Sequence, residues 1–196
     1  MIRLAALLGL LLFAGAADAQ IASGGPLPEG GRTLAAADGS SLTLDAAAGP
    51  EGLVVVFWSA TCPWADRYAS RLSDLVAGYA PAGVGFVLVT EPGPAPAEGG
   101  AAAAPRRPAA ASLAAPYVRD AGGTLAAAFG AESVPHVFFF GPDRTLVYDG
   151  AIDDSPANGA RAQVSYLQQA MDQSIAGIPV EVMRTQAFGC GIGGRP

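Results

Sequence analysis

Leu53-Val54-Val55-Val56-Phe57-Trp58-Ser59-Ala60-Thr61-Cys62-Pro63-Trp64-Ala65-Asp66-Arg67-Tyr68 is the stretch whose reading decides the fold. Its first six residues are continuous, β-branched and aromatic, too few for a buried helix, and predict a central strand. Pro63 suits the first turn of a helix, where its missing N–H has no partner to lose. Leu72, Leu75, Val76 and Tyr79 follow at helical spacing, and the run ends near Gly78 and Pro81. Val84 to Thr90 reads as a second buried strand, and the order strand, helix, strand implies a parallel crossover. Cys62 therefore falls at a strand-to-helix junction. Free backbone N–H groups and the helix dipole there favour a negative charge, which lowers a thiol pKa and supplies the reactive thiolate. A lone cysteine is more often buried and inert; its position at a helix start, just before proline, is what favours reactivity here.

Working outward, Leu34 to Asp45 reads as an edge segment: a turn at Asp38-Gly39-Ser40, then Ser41-Leu42-Thr43-Leu44 in alternation. Past the centre, Tyr117 to Asp120 resumes order and Thr124 to Phe129 is a short Ala-rich helix. Val137 to Phe140 predicts another buried strand, and Thr145 to Tyr148 pairs back on it across the Gly141-Pro142-Asp143-Arg144 turn. Val164, Leu167, Met171 and Ile175 predict an amphipathic helix over 160–176. An irregular tail runs from 177.

Composition sets the outer bounds. The N-terminal Met1-Ile2-Arg3, the uncharged run Leu4 to Ala17 and the small-x-small triplet Ala17-Asp18-Ala19 have the layout of a signal peptide, 1–19. The run is shorter than the roughly 20 apolar residues of a membrane span. The expected product is one periplasmic or secreted domain, 20–196, with no integral membrane segment after cleavage. Between 91 and 115 the sequence turns to Ala, Pro and Gly, with Arg106-Arg107 as its only basic pair, and reads as a flexible insertion. A formal charge of −6 argues against nucleic acid as a partner. The chain has no Lys, which excludes a GK[ST] phosphate loop and Schiff-base chemistry. His136 is the only histidine, and Cys62 and Cys190 are the only cysteines, so multi-histidine zinc sites and iron–sulfur clusters are excluded. Thiol chemistry survives this pruning.

A second segment agrees with it. Glu132-Ser133-Val134-Pro135-His136 sets a proline directly before a buried strand, where it cannot donate to the ladder. A cis Val134–Pro135 bond accounts for that placement, as does a trans proline that opens the strand. His136 either approaches Cys62 or is simply hydrogen-bonded at a strand start. Asp153-Asp154 reads as turn capping in preference to a cation site.

Four segments carry a family resemblance: Val54 to Tyr68 around Cys62; Val134 to Phe140; Leu146-Val147-Tyr148-Asp149-Gly150-Ala151-Ile152-Asp153-Asp154; and the tail from Pro179-Val180 to Gly189-Cys190-Gly191-Ile192. In these the chain resembles the thioredoxin superfamily, and within it a peroxiredoxin-like branch of the alkyl hydroperoxide reductase/thiol-specific antioxidant (redoxin) family. The resemblance implies an α/β thioredoxin-like fold with a central mixed sheet flanked by helices. It also implies that the Val134-Pro135 loop faces the active thiol and offers backbone groups to a bound chain. It implies no cofactor and no metal. The partners it implies are a thiol reductant or a protein disulfide, with peroxide as an oxidant. Cys62 and Cys190 are the expected catalytic residues, and Ser59, Thr61, Trp64, Val134 and Pro135 the expected substrate-binding residues. The sequence also departs from the family pattern. Ala65 stands where a dithiol motif has its second cysteine, and Val55 where a peroxiredoxin has proline. Arg67 and Arg119 are the candidates for a peroxide-polarising arginine.

Two competing readings remain beside an exported thiol oxidoreductase. One is a binding module that keeps the fold without turnover; the other is a copper-handling protein using Cys62, Cys190 and His136. With two cysteines, the one intramolecular bridge available is Cys62–Cys190, and it forms only if their Cα atoms approach within roughly 7 Å. Otherwise Cys190 packs as a small apolar residue.

Overall fold

Burial of the apolar run at 53–58 sets the centre of the molecule. The computed structural model describes residues 20–93 and 113–192, with the backbone alone at 91–93. Strands β1 (Leu34–Ala35) and β2 (Ser41–Leu42) pair antiparallel. The alternation at 41–44 stops early, because the Thr43 hydroxyl accepts from the Ala46 N–H at 3.1 Å and starts helix α1 (Leu44–Ala47). Strand β3 (Gly52–Trp58) is buried along its whole length, as its composition predicts. Helix α2 (Pro63–Tyr79) follows with Pro63 in its first turn and turns Ala65, Tyr68, Ala69, Leu72 and Val76 inward. Strand β4 (Val84–Gly93) lies parallel to β3, with Gly52 opposite Val84 and Trp58 opposite Thr90.

β5 (Tyr117–Ala121) is parallel to β4, and helix α3 (Thr124–Phe129) follows it. The residue before α3 is Gly123, which has no side chain to cap with. Buried Asp120 caps instead, accepting from the N–H groups of Leu125 at 2.9 Å and Ala126 at 2.8 Å. The chain then forms β6 (Ser133–Val134), β7 (His136–Phe140) and β8 (Leu146–Gly150), helix α4 (Tyr166–Ile175) and β9 (Cys190–Gly191). The central sheet has five strands in the order β5-β4-β3-β7-β8, its first two pairings parallel and its last two antiparallel. α2 and α3 pack on β4, and α4 packs on β7 and β8. Phe129 sits edge-on to Phe57, Phe138 and Phe140 with centroids 5.3–5.8 Å apart, and all four rings are fully buried. Each such burial stabilises by roughly 1.5–3 kcal/mol. This is the mixed sheet with flanking helices that the resemblance implies.

Three boundaries differ from expectation. β4 runs three residues into the segment read as a flexible insertion, because Gly93 still pairs with Ala121. At the far end Leu113 and Ala115 pack against the core. The rest of that insertion, and the signal peptide 1–19, lie outside the described residues. The last helix begins at Tyr166, six residues after the periodicity suggests. The chain ahead of it is closed into a loop: Asp154 donates its N–H to Val164 and accepts from the Gln163 N–H at 2.9 Å, while Asn158 caps a 3-10 turn at Gly159–Arg161. Among the described residues, no helix is long and apolar enough to cross a membrane.

Candidate active site

β3 ends and α2 begins around Cys62, which is the N-cap of α2 in extended conformation. Ser59 and Thr61 build the turn that delivers it. The Ser59 hydroxyl accepts from the Thr61 N–H at 3.2 Å and lies 2.9 Å from the Thr61 hydroxyl, so both groups are engaged within the loop. Ser59 is buried and Thr61 exposed. Opposite, the Val134–Pro135 peptide bond is cis, and both residues are buried.

The tail reaches this loop as a strand. β9 pairs antiparallel with β6, Cys190 opposite Val134 and Gly191 opposite Ser133, and the Ile192 N–H donates to the Glu132 carbonyl at 2.9 Å. Close approach requires a glycine just before the cysteine: a Cβ on Gly189 would lie 1.9 Å from the Val134 carbonyl oxygen. Both cysteines thus converge on Val134. Cys62 and Cys190 form a disulfide with Cα atoms 6.0 Å apart, inside the range the bond demands. The Cys62 sulfur stands 3.3 Å from the Val134 oxygen. In the disulfide that sulfur has no proton, so the hydrogen bond itself belongs to the reduced thiol.

The root of the tail is tied to β8. Asp149 donates its N–H to Met183 O and receives the Thr185 N–H at its own carbonyl. One proton per hydroxyl fixes a closed ring: Tyr148 O–H donates to Ala151 O (2.6 Å), Thr185 O–H donates to Tyr148 (2.6 Å), and the Ala151 N–H donates to Thr185 (3.0 Å). Burial, partly opposed by the hydrogen bond from Thr185, raises the Tyr148 hydroxyl above its ordinary pKa. Gly150, at φ +141°, leaves room for this ring; a Cβ there would stand 2.3 Å from the Thr185 hydroxyl. Arg184 adds an ion pair to the buried Asp149 at 2.8 Å.

Between root and tip, Phe188 packs edge-on against Trp64 at 4.7 Å, and Arg67 lies over the Trp64 ring at 5.5 Å. Trp64 is thus brought to the site, with the chain's own tail on its face. His136 is turned elsewhere. Its Nδ1 accepts weakly from the Glu132 N–H at 3.5 Å, its Nε2 lies 3.8 Å from Asp149, and its ring stacks on Phe138. Arg67 donates to Ala157 O at 3.0 Å, and Arg119 lies in β5. Arg71 was not singled out from the sequence; its guanidinium pairs with buried Asp153 and lies 3.9 Å above the Tyr68 ring. Tyr68, which donates to Asp153 at 3.3 Å, has its hydroxyl pKa raised, first by burial and then by the Asp153 charge. Asp153 also accepts from the Ser155 N–H at 2.9 Å, so its capping role is joined by an ion pair. Among the described residues no group of three His, Cys, Asp or Glu side chains is arranged to hold a metal.

Sequence reasoning missed the contacts of Thr185 and Phe188, which together with Gly189 bring Cys190 home. The available signal was the spacing Phe188-Gly189-Cys190-Gly191-Ile192, an apolar contact on either side of a glycine-flanked cysteine.

The chain is similar to a hypothetical protein of Sinorhizobium meliloti 1021, with 28% identity over 89% of this chain and 95% of that one, at a TM-score of 0.75. An uncharacterized conserved protein of Geobacillus kaustophilus is 24% identical over 92% and 95% of the two chains, at a TM-score of 0.71. A peroxidoxin of Mycobacterium tuberculosis shares the fold at 17% identity, covering 81% of this chain and 99% of that one with a TM-score of 0.56. No curated protein matches the sequence. Residues 27–149 match the AhpC/TSA family, a stretch that holds Cys62, Val134 and Pro135 and stops short of the tail. With its five-stranded mixed sheet and a cysteine at the β3–α2 junction, the chain belongs to the AhpC/TSA (redoxin) family of the thioredoxin superfamily.

Proposed function

We propose that the protein is an exported thiol oxidoreductase in which Cys62 attacks a peroxide oxygen or a disulfide sulfur and Cys190 resolves the product. One observation carries the reading: a strand of the tail lies on the cis-proline loop and holds Cys190 bonded to the cysteine that starts α2. Attack on a peroxide breaks its O–O bond, releases water or an alcohol and leaves a sulfenic acid on Cys62, which condenses with the Cys190 thiol to the disulfide and water. Attack on a disulfide leaves a mixed disulfide that Cys190 displaces. Trp64 and the Val134-Pro135 loop would form the groove for a partner once the tail tip leaves it. The missing second motif cysteine at Ala65 is compensated by Cys190, which weighs against a binding module without turnover. A copper site would need free thiolates and His136 directed at them, whereas Nε2 faces Asp149.

Peroxide consumption by residues 20–196, with dithiothreitol as reductant, tests the chemistry. Cys62→Ser should abolish it, and Cys190→Ser should lead to sulfinic acid on Cys62. Full activity in Cys62→Ser would sink the reading. Export is tested by expressing the whole chain and sequencing the periplasmic product, which should begin at Gln20.

A further inference from the structure

We propose that Gln20 is a modification site: once the chain is cut after Ala19, the new α-amine closes on its own side-chain amide, and the mature protein begins with pyroglutamate. This rests on the export reading, which makes Gln20 the first residue, and adds what becomes of that terminus.

The segment that follows Gln20 is strapped to the start of β8. The Gly24 N–H donates to the Leu146 carbonyl at 2.9 Å, the Leu146 N–H to the Gly25 carbonyl at 2.8 Å, and the Leu27 N–H to the Arg144 carbonyl at 2.9 Å. At the head of this strap one guanidinium holds two acceptors. Arg184 donates from Nη2 to the Ile21 carbonyl at 2.6 Å and from Nη1 to the Gln20 Oε1 at 3.3 Å. Its Nε is taken by buried Asp149 at 2.8 Å, so the Nη edge is the one turned to the terminus. Arginine carries donors only, which fixes the amide oxygen of Gln20 as the atom facing it. Gln20 is exposed, and its amide nitrogen has no partner among the described residues. The bond at Ile21 keeps the next residue in place while residue 20 turns. A hydrogen bond from a cation also draws electron density from the amide carbonyl, whose carbon is the electrophile. Cleavage then sets an α-ammonium on the residue this guanidinium already holds, and a neighbouring like charge favours the uncharged, nucleophilic amine.

The ring closure needs no oxidant, reductant or co-reactant. The lone pair of the Gln20 amine forms a bond to the side-chain amide carbon. The bond from that carbon to the amide nitrogen breaks, and the nitrogen leaves as ammonia, taking one proton from the attacking amine. The lactam has no charge, so the repulsion from Arg184 disappears. Its carbonyl oxygen is still an acceptor, and the bond to Arg184 is retained. The product also lacks the free amine that an aminopeptidase requires, which protects the strap on β8 from its open end.

Tandem mass spectrometry of the exported protein reads the terminus. The expected first peptide begins at residue 20 and is lighter by one ammonia, and Edman degradation proceeds only after treatment with pyroglutamate aminopeptidase. A terminus at Gln20 with its amine free overturns the proposal and leaves export standing; a terminus elsewhere overturns both the cleavage site and the modification. The part assigned to Arg184 is timed on the chain 20–196, released from a fusion so that it begins at Gln20, beside a free peptide of residues 20–25. The folded protein should close roughly three- to ten-fold faster, the gain in free amine expected beside a cation, and Arg184→Ala should fall back to the rate of the peptide. Equal rates for wild-type protein and peptide remove Arg184 from the site.

Discussion

Cys62 starts the helix that follows a strand whose seven residues are all buried and which is paired along both edges. Cys190 lies on a tail joined to the body by a two-residue ladder, one edge-on aromatic contact, the hydrogen-bonded ring around Thr185 and the Arg184–Asp149 ion pair. The first cysteine is positioned by area removed from water, a force spread over dozens of contacts. The second is positioned by a few discrete bonds, each separately removable. A disulfide between an immobile and a movable partner can close and open without the sheet taking part. That is the physical requirement for a redox couple, and it can be broken from either side.

The largest effect belongs to the immobile side. Phe138→Ala removes a fully buried ring that packs on Phe57 and Phe129, and should destabilise by about 3–5 kcal/mol. Urea unfolding measures it; a loss under about 1 kcal/mol would mean that the site repacks and the sheet is no rigid base. Next comes the bond itself. Cys190→Ser opens a loop spanning 128 residues and should cost about 2–4 kcal/mol. Hydrogen exchange should then quicken at 186–192 while 53–58 stays protected. Equal loss of protection in both stretches would erase the contrast between the two halves.

Legibility in the sequence follows the same division. The run at 53–58 and the spacing of Leu72 and Val76 announce themselves, because burial on both faces of a strand, or along one face of a helix, imposes a pattern on neighbouring residues. Cys62 at the start of α2 follows from the two together. The tail has no such period. Its place is fixed by Thr185 with Tyr148, Gly189 with the Val134 carbonyl, and Arg184 with Asp149, pairs at least 35 residues apart for the two ending at 148 and 149. Nothing local in Thr185 or Phe188 names a partner. The late start of α4 has the same origin, since Asp154 closes a loop onto Gln163 that helical spacing does not reveal.

The tie at Thr185 should yield a smaller effect than the bridge. Thr185→Val keeps the shape and removes the hydroxyl that donates to Tyr148 and accepts from Ala151. It should cost about 1–2 kcal/mol and slow closure of the disulfide after reduction and reoxidation. Alkaline pH loosens the same point. The folded pKa of Tyr148 is raised above that of the unfolded chain, chiefly by burial. Its stabilisation is therefore complete below about pH 10 and declines above it, where the unfolded chain sheds a proton that the folded one retains. Tyr148→Phe should flatten its share of the alkaline decline; an unchanged profile would remove Tyr148 from the tie.

The smallest effect reports most directly on movement of the tail tip. Phe188 is 46% exposed, yet its ring sits edge-on to Trp64 at 4.7 Å. Such a pair contributes roughly 0.5–1.5 kcal/mol, too little to hold the tip in place once the disulfide is gone. Reduction should therefore let Phe188 leave and wet the Trp64 indole, shifting its emission to the red. The other tryptophan, Trp58, is fully buried in β3, so its own emission should stay blue-shifted in both redox states. In Phe188→Ala the oxidised protein should already emit like the reduced wild type, with little change in unfolding midpoint. If wild-type emission is the same before and after reduction, the tip stays seated without its bond, and Cys190 is as fixed as Cys62.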